Sequence, residues 1–296
     1  MTGSPPDRRP GRRPSVAARP GAALALVAAL LAALLGLPGS AAAALDGLRL
    51  LPYQARYAIY RNGKLTGKVD VSLERHGERW IIRSEGSGTH GLARILAARD
   101  DEDVTGHLRE GRFRPDRYQR HTRVAGIDDR WAVEFDWAQR AVSITHDRGD
   151  PLVLDMPATD ALDPLSLKLE MRRRLSRPNP QSDPQSDPES DPELHFQMVE
   201  EDKIDEQNFR ILDPERMETS LGCLRTVVVE KIRENSKRYT RAWHAPELDF
   251  IEVRMEHGKT DGNHLEMRIT ELTVDGVAVH PSPGCAARQA AGDETP

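Results

Sequence analysis

The sequence predicts a mainly β protein: a single antiparallel, strongly curved sheet or incomplete barrel, with one helix, at about residues 163–175, packed on or in it. Three observations carry this expectation. Bulky side chains alternate with polar ones in segment after segment between Tyr53 and Val274, which is the period of strands with one buried face. Turn residues interrupt the alternation at short intervals, so that neighbouring segments pair as hairpins. A helical period of useful length occurs once.

The first meander runs from Tyr53 to Thr89. Tyr53, Ala55, Tyr57 and Ile59 alternate with Gln54, Arg56 and Ala58; Val69, Val71 and Leu73 follow, then Trp80 and Ile82. Asn62-Gly63 suits the two positive φ angles of a tight hairpin, and His76-Gly77-Glu78 makes a second reversal. Gly91 to Ala98 (GLARILAA) places Leu92, Ile95 and Leu96 at helical offsets and predicts a helical turn or two. The chain from Asp100 to Val124 is extended about a turn at Glu110-Gly111. Pro115, lacking an N–H, confines its strand to an edge or a bulge. Trp131, Val133, Phe135 and Trp137 alternate strictly, and Val142 and Ile144 pair back after Ala138-Gln139-Arg140. Asp163 to Leu175 (DPLSLKLEMRRRL) has an N-cap in Asp163, Pro164 at the first helical position and an apolar stripe of Leu162, Leu165, Leu169 and Met171. Arg172, Arg173 and Arg174 read as charge dressing on its C-terminal end. Strands resume with Leu194–Val199, Asn208–Leu212, the run TSLGCLRTVVVEKIRE with a turn at Gly222, Arg238–His244, Phe250–His257 and His264–Val274.

Residues 1–44 read as a cleaved signal peptide. Arg8, Arg9, Arg12, Arg13 and Arg19 precede an uncharged run from Gly21 to Leu37, then Pro38-Gly39 and the small residues Ser40 to Ala44. The run is short for a retained membrane anchor, the alternative reading. Residues 45–281 form one expected domain, interrupted by a disordered insertion at 177–193 (RPNPQSDPQSDPESDPE), whose regular prolines leave nothing to bury. Residues 282–296 read as a flexible tail. The two cysteines, Cys223 and Cys285, form a disulfide in one reading and remain separate thiols in the other. The expected location is the periplasm of a Gram-negative envelope, with no stable membrane span after cleavage.

The whole chain holds 42 Lys plus Arg against 47 Asp plus Glu. Without the five Arg and one Asp of the leader these become 37 and 46, a net charge of −9. The charges are mixed along the strands, which argues against a nucleic-acid partner. No GxSxG, HExxH, GxxxxGK[ST] or strand-to-helix GxGxxG occurs, so no catalytic, cofactor-binding or metal residue is assigned and no cofactor is expected. His257 and His264 flank a hairpin loop but lack further ligands at metal spacing. Six aromatics on alternating positions, Tyr57, Trp80, Trp131, Phe135, Tyr239 and Trp243, are either plain core or the lining of a cavity for an apolar guest. Three readings of function follow: non-catalytic binding of an envelope lipid or other apolar molecule, an envelope scaffold working through protein contacts, and a hydrolase whose site is assembled across strands.

YAIYRNGKLTGKVDVSLER with WIIRSEGSGTHGLARIL, then FDW, DPLSL, TSLGCLRTVVVEKI and RAWHAPELDFIEVRME resemble a bacterial domain-of-unknown-function family, number 3108, over roughly Pro52 to Thr273. The resemblance implies an exported, β-rich protein without assigned activity. The closing phrase is also similar in pattern to envelope carriers that shield lipid tails in a half-open barrel, an analogy of fold alone.

Overall fold

Sixteen strands join in one large, curved sheet in the computed structural model, which describes residues 48–286 except 148, 158–160, 178–192, 235 and 261. The predicted leader, nearly all of the Ser-Asp-Pro insertion and the last ten residues lie outside these. The first half is a meander of β1 (Tyr53–Arg61), β2 (Lys64–His76), β3 (Arg79–Gly88), β4 (Arg99–Arg109), β5 (Arg112–Val124), β6 (Ile127–Asp136), β7 (Ala141–His146) and β8 (Leu152–Asp155). A two-residue strand β9 (Ala161–Leu162) leads into the helix Pro164–Leu175. The second half comprises β10 (Glu193–Val199), β11 (Ile204–Thr219), β12 (Gly222–Lys231), β13 (Arg238–Ala245), β14 (Ile251–Lys259), β15 (His264–Val274) and β16 (Val277–Ala278).

The strand order is β8-β7-β6-β5-β4-β3-β2-β1-β15-β14-β13-β12-β11-β10-β9, with β16 beside β15. Each half zips up from its own consecutive hairpins, and β1 pairs with β15 to join them. No ladder among the described residues links the edges β8 and β9, so the sheet is not closed. Pro115 lies at a bulge, not at an edge. The register shifts where Thr105 and Gly106 meet Arg117 and Pro115, and the β5–β6 ladder starts beyond it, at Arg117–Glu134. The Pro115 carbonyl accepts a hydrogen bond of 2.7 Å from Trp137 Nε1.

Apolar side chains bury in three clusters. Trp80, Phe113, Tyr118, Trp131, Val133 and Phe135 pack with Leu165 and Leu169 of the helix. Tyr57, Trp243, Val253, Met267 and Ile269 form a second cluster, and Met171 and Leu175 meet Leu194, Phe196 and Val229 in a third. Trp80 is fully buried and meets Phe113 edge-on at 5.9 Å between ring centroids. Gly106 makes room for it: a Cβ there would stand 2.2 Å from Trp80 Cζ2 and 2.4 Å from the Arg114 carbonyl oxygen. Gly106→Ala is therefore expected to cost about 1–3 kcal/mol by overpacking, read as a lower urea midpoint with an unchanged slope.

The predicted turn at 91–98 forms a helix, Gly91–Ile95, that buries no residue and leaves Leu92 and Ile95 exposed. Over its described residues the predicted tail is tied to the sheet. Cys285 is bonded to Cys223, with Cα atoms 4.6 Å apart, and the Cys223 N–H donates to the Pro283 carbonyl at 3.2 Å. The Ser282 N–H donates to the Leu221 carbonyl at 3.0 Å. Residues 282–286 are thus an anchored strap.

Candidate functional site

The Pro164–Leu175 helix is where chemistry-bearing side chains converge. Its start follows the sequence closely. Asp163 takes extended backbone angles, and its carboxylate accepts from Leu165 N, Ser166 N and Ser166 Oγ at 2.9, 3.0 and 2.6 Å. Ser166 Oγ in turn accepts from the Asp163 N–H at 2.9 Å, which completes a capping box. Asp163 has no solvent exposure. Burial, the largest influence, pushes its carboxyl up to about 6 against those hydrogen bonds. A raised carboxyl pKa means that the folded state holds its proton longer than the unfolded one. This group's contribution to stability is then greatest below pH ~4 and declines as pH rises to ~6. Asp163→Asn keeps the accepting oxygen and removes the titration. Its stability relative to the parent is expected to rise by roughly 2–3 kcal/mol between pH ~4 and pH ~7, measured by urea unfolding of both chains at each pH.

No residue of this helix is exposed. That overturns the expectation of arginines dressing a solvated helix end. Arg172 and Arg173 are each 3 % exposed. Arg172 Nη2 donates to Asp249 Oδ2 at 3.0 Å and its Nε to the Asp249 carbonyl at 3.1 Å, while the guanidinium lies 5.2 Å from the Tyr53 ring centroid. Arg173 and Arg174 both donate to Glu170. Lys168 Nζ reaches Glu252 at 3.4 Å, and Tyr57 Oη donates to the Glu252 carbonyl at 2.9 Å. Tyr118 Oη donates to Glu102 at 2.6 Å. His244 is buried, which pulls its pKa down, and its Nδ1 sits 3.1 Å from the Phe250 carbonyl. Asp249 reaches Arg172 from the turn after the short 3-10 helix Pro246–Leu248. There Asp249 and Phe250 both hold left-handed angles, φ 57° and 56°, a local strain that side-chain contacts must hold in place.

Glu102, Glu170, Asp249 and Glu252 are each engaged by a tyrosine or a cation, so this interior is a held charge network around a helix. The sequence reading missed it. The available signal was five charged residues in twelve on a helix whose apolar positions, Leu165, Leu169, Met171 and Leu175, do not share one stripe.

Of the six aromatics singled out, Trp80, Trp131 and Phe135 lie in the cluster with Leu165 and Leu169, and Tyr57 and Trp243 in the second cluster. Tyr239 is apart from them, at the other end of its strand, with Oη 2.6 Å from His264 Nδ1. The indole N–H groups of Trp80 and Trp131 are buried without a hydrogen-bond partner among the described residues. His257 and His264 do not meet: His257 pairs with Leu265 and bonds Thr240 Oγ1 at 2.8 Å, whereas His264 pairs with Gly258. Glu256, His264 and Glu266 come close enough to share a metal ion, but Arg268 bonds both oxygens of Glu266 at 2.7 Å and Arg254 adds a third link. Cations already stand where a metal's charge would be needed.

The family model described as "Protein of unknown function (DUF3108)" matches residues 53–270. The chain belongs to this DUF3108 family. The matched span runs from the first strand of the sheet to the last long one, with the helix and its charge network inside it. No curated protein matches the chain. Among solved structures, a β-barrel-like protein of domain of unknown function DUF1849 from Brucella abortus is similar at 10% identity and TM-score 0.49, over 77% of this chain and 99% of that one. A candidate lipoprotein from Parabacteroides distasonis is similar at 10% identity and TM-score 0.31, over 77% and 98%. A candidate exported protein with a YmcC-like fold from Bacteroides fragilis gives 10% identity and TM-score 0.32, over 75% and 95%. In the DUF3108 chain, no helix among the described residues is long and apolar enough to cross a membrane.

Proposed function

We propose that this is an exported, periplasmic envelope protein that binds rather than reacts, and that it takes an apolar envelope molecule against the aromatic face covered by the Pro164–Leu175 helix. The observation that carries the reading is the make-up of that cover. An open sheet presents Trp80, Trp131 and Phe135 to a helix that contributes Leu165 and Leu169 but is held elsewhere by side-chain ion pairs, one of them, Lys168–Glu252, partly open to solvent. The sealed Arg172–Asp249 pair anchors the C-terminal end of the helix, whereas the half-open Lys168–Glu252 link is the one a guest can displace at low cost. The two partnerless indole N–H groups under it leave donors for a guest's polar atom. The leader-like N-terminus and the Cys223–Cys285 bridge suit an oxidising compartment.

Lys168→Ala is expected to loosen the cover and raise uptake of an apolar fluorescent probe, N-phenyl-1-naphthylamine, several-fold while far-UV circular dichroism stays unchanged. Native mass spectrometry of protein purified from its own envelope is expected to show a lipid. Absence of both, with a stoichiometric protein partner in their place, would instead favour the scaffold reading, for which β8 offers a free edge with Val153 63 % exposed.

A further inference from the structure

At one end of the sheet the strands β2, β1, β15, β14 and β13 finish in a row without a carboxylate. Lys64 pairs with Arg61, Arg61 with Leu265, Leu265 with His257, and His257 with Thr240. Two positions further out, on the same face, Arg238 and Lys259 stand directly opposite each other, a like-charge cross-strand pair of the kind sheets avoid. Arg61, Lys64, Arg238 and Lys259 are in no side-chain ion pair among the described residues. Arg233, just beyond β12, bonds Thr240 Oγ1 at 3.1 Å, and its Nη1 is buried without a partner. Burial, then the neighbouring Arg238, pull the Arg233 pKa down, and burial with Arg233, Arg238 and Lys231 does the same to His257. Arg61, Arg238, His257, Lys259 and Leu265 line a groove of about 410 Å³.

This row ends a greasy stripe. Along β1, Arg61 continues the face of Tyr57 and Ile59, and along β15, Leu265 continues that of Ile269 and Met267, with Tyr57, Ile269 and Met267 buried. A buried apolar stripe that gives way at the sheet's end to cations in no ion pair among the described residues matches a molecule with an apolar body and an anionic head. We propose that the groove binds a phosphate group, from a lipid headgroup or from free phosphate, through Arg61, Arg238 and Lys259 with Arg233 behind them. The anion site stands independently of the reading given under Proposed function, whose guest lies against the other cluster, that of Trp80, Trp131 and Phe135.

The test uses the full exported chain, the Arg238→Gln, Lys259→Gln double variant, and a control, Arg79→Gln with Arg225→Gln, which removes two exposed cations from the opposite ends of their strands. Sedimentation with phosphatidylcholine vesicles, with and without phosphatidylglycerol, reads the lipid source, and calorimetry with inorganic phosphate reads the free one. In whichever arm binding occurs, the double variant is expected to lose roughly thirtyfold in affinity while the control keeps the parent's affinity. Binding to vesicles alone assigns the headgroup, and binding to inorganic phosphate assigns the free ion. Binding in neither arm, or an equal loss in the control, overturns the site. Uptake of the apolar probe by the same variants separates the two ideas: retained uptake without anion binding sinks this inference alone, and anion binding without uptake sinks the apolar-guest reading alone.

Discussion

Arg172→Ala is expected to destabilise the fold by about 3–5 kcal/mol, one of the two largest effects of any single change considered. Both side chains of the Arg172–Asp249 pair are sealed, at 4 % and 5 % exposure, so deleting one leaves the other as a buried charge without its counter-ion. Asp249→Ala is expected to match it in size. The double variant Arg172→Ala, Asp249→Ala is expected to be much less damaging than the sum of the singles, because it strands no charge. Urea unfolding of the four chains gives the cycle directly. Raising the salt concentration should leave the loss unchanged, since a pair shut off from solvent is hardly screened. A loss below about 1 kcal/mol in both single variants would show that water reaches the pair and that the helix is not held there.

Removal of the disulfide is the second large effect. Cys223 and Cys285 lie 62 residues apart, and a cross-link closing a loop of that length is worth about 4 kcal/mol through the freedom it denies the unfolded chain. Cys285→Ser is expected to lose about that much in urea unfolding and to release residues 282–286. The local readout is the Cys223 N–H, which donates to Pro283 and should exchange with deuterium far faster in the variant. A midpoint unchanged in the variant would mean that the hydrogen bonds of Ser282 and Cys285 hold the strap by themselves.

Most of the fold was legible in the chain because its signals are local. The Asn62-Gly63 hairpin, the alternation Trp131, Val133, Phe135 and the Asp163-Pro164 helix start each depend on residues close in sequence, and each forms as that chemistry dictates. What escaped depends on partners far away. Arg172 finds Asp249 across 77 residues, and nothing around either one announces the other. The left-handed turn at Asp249 and Phe250 carries no glycine to mark it. The site was less legible for the same reason: period two shows that Trp80 and Tyr239 lie on strands, but not that one is fully buried against Phe113 and the other lies at a strand end beside His264. The cationic row is invisible in a linear reading, because Arg238 and Lys259 meet only through the β13–β14 ladder and Arg61 joins them only through the pairing of β1 with β15.

That pairing also governs how the chain can fold. All the other antiparallel ladders among the described residues join strands that are consecutive in the chain, so each half can zip up quickly by itself, whereas Arg56 meets Glu271 across 215 residues. Closing so long a span is entropically costly and slow. As the chain emerges from its N-terminal side, the first half can stand complete while β1 still waits as a bare edge for β15. For that interval the nascent chain is a template for mispairing, and a helper that covers β1 until β15 arrives would raise the yield more than one acting on any other strand.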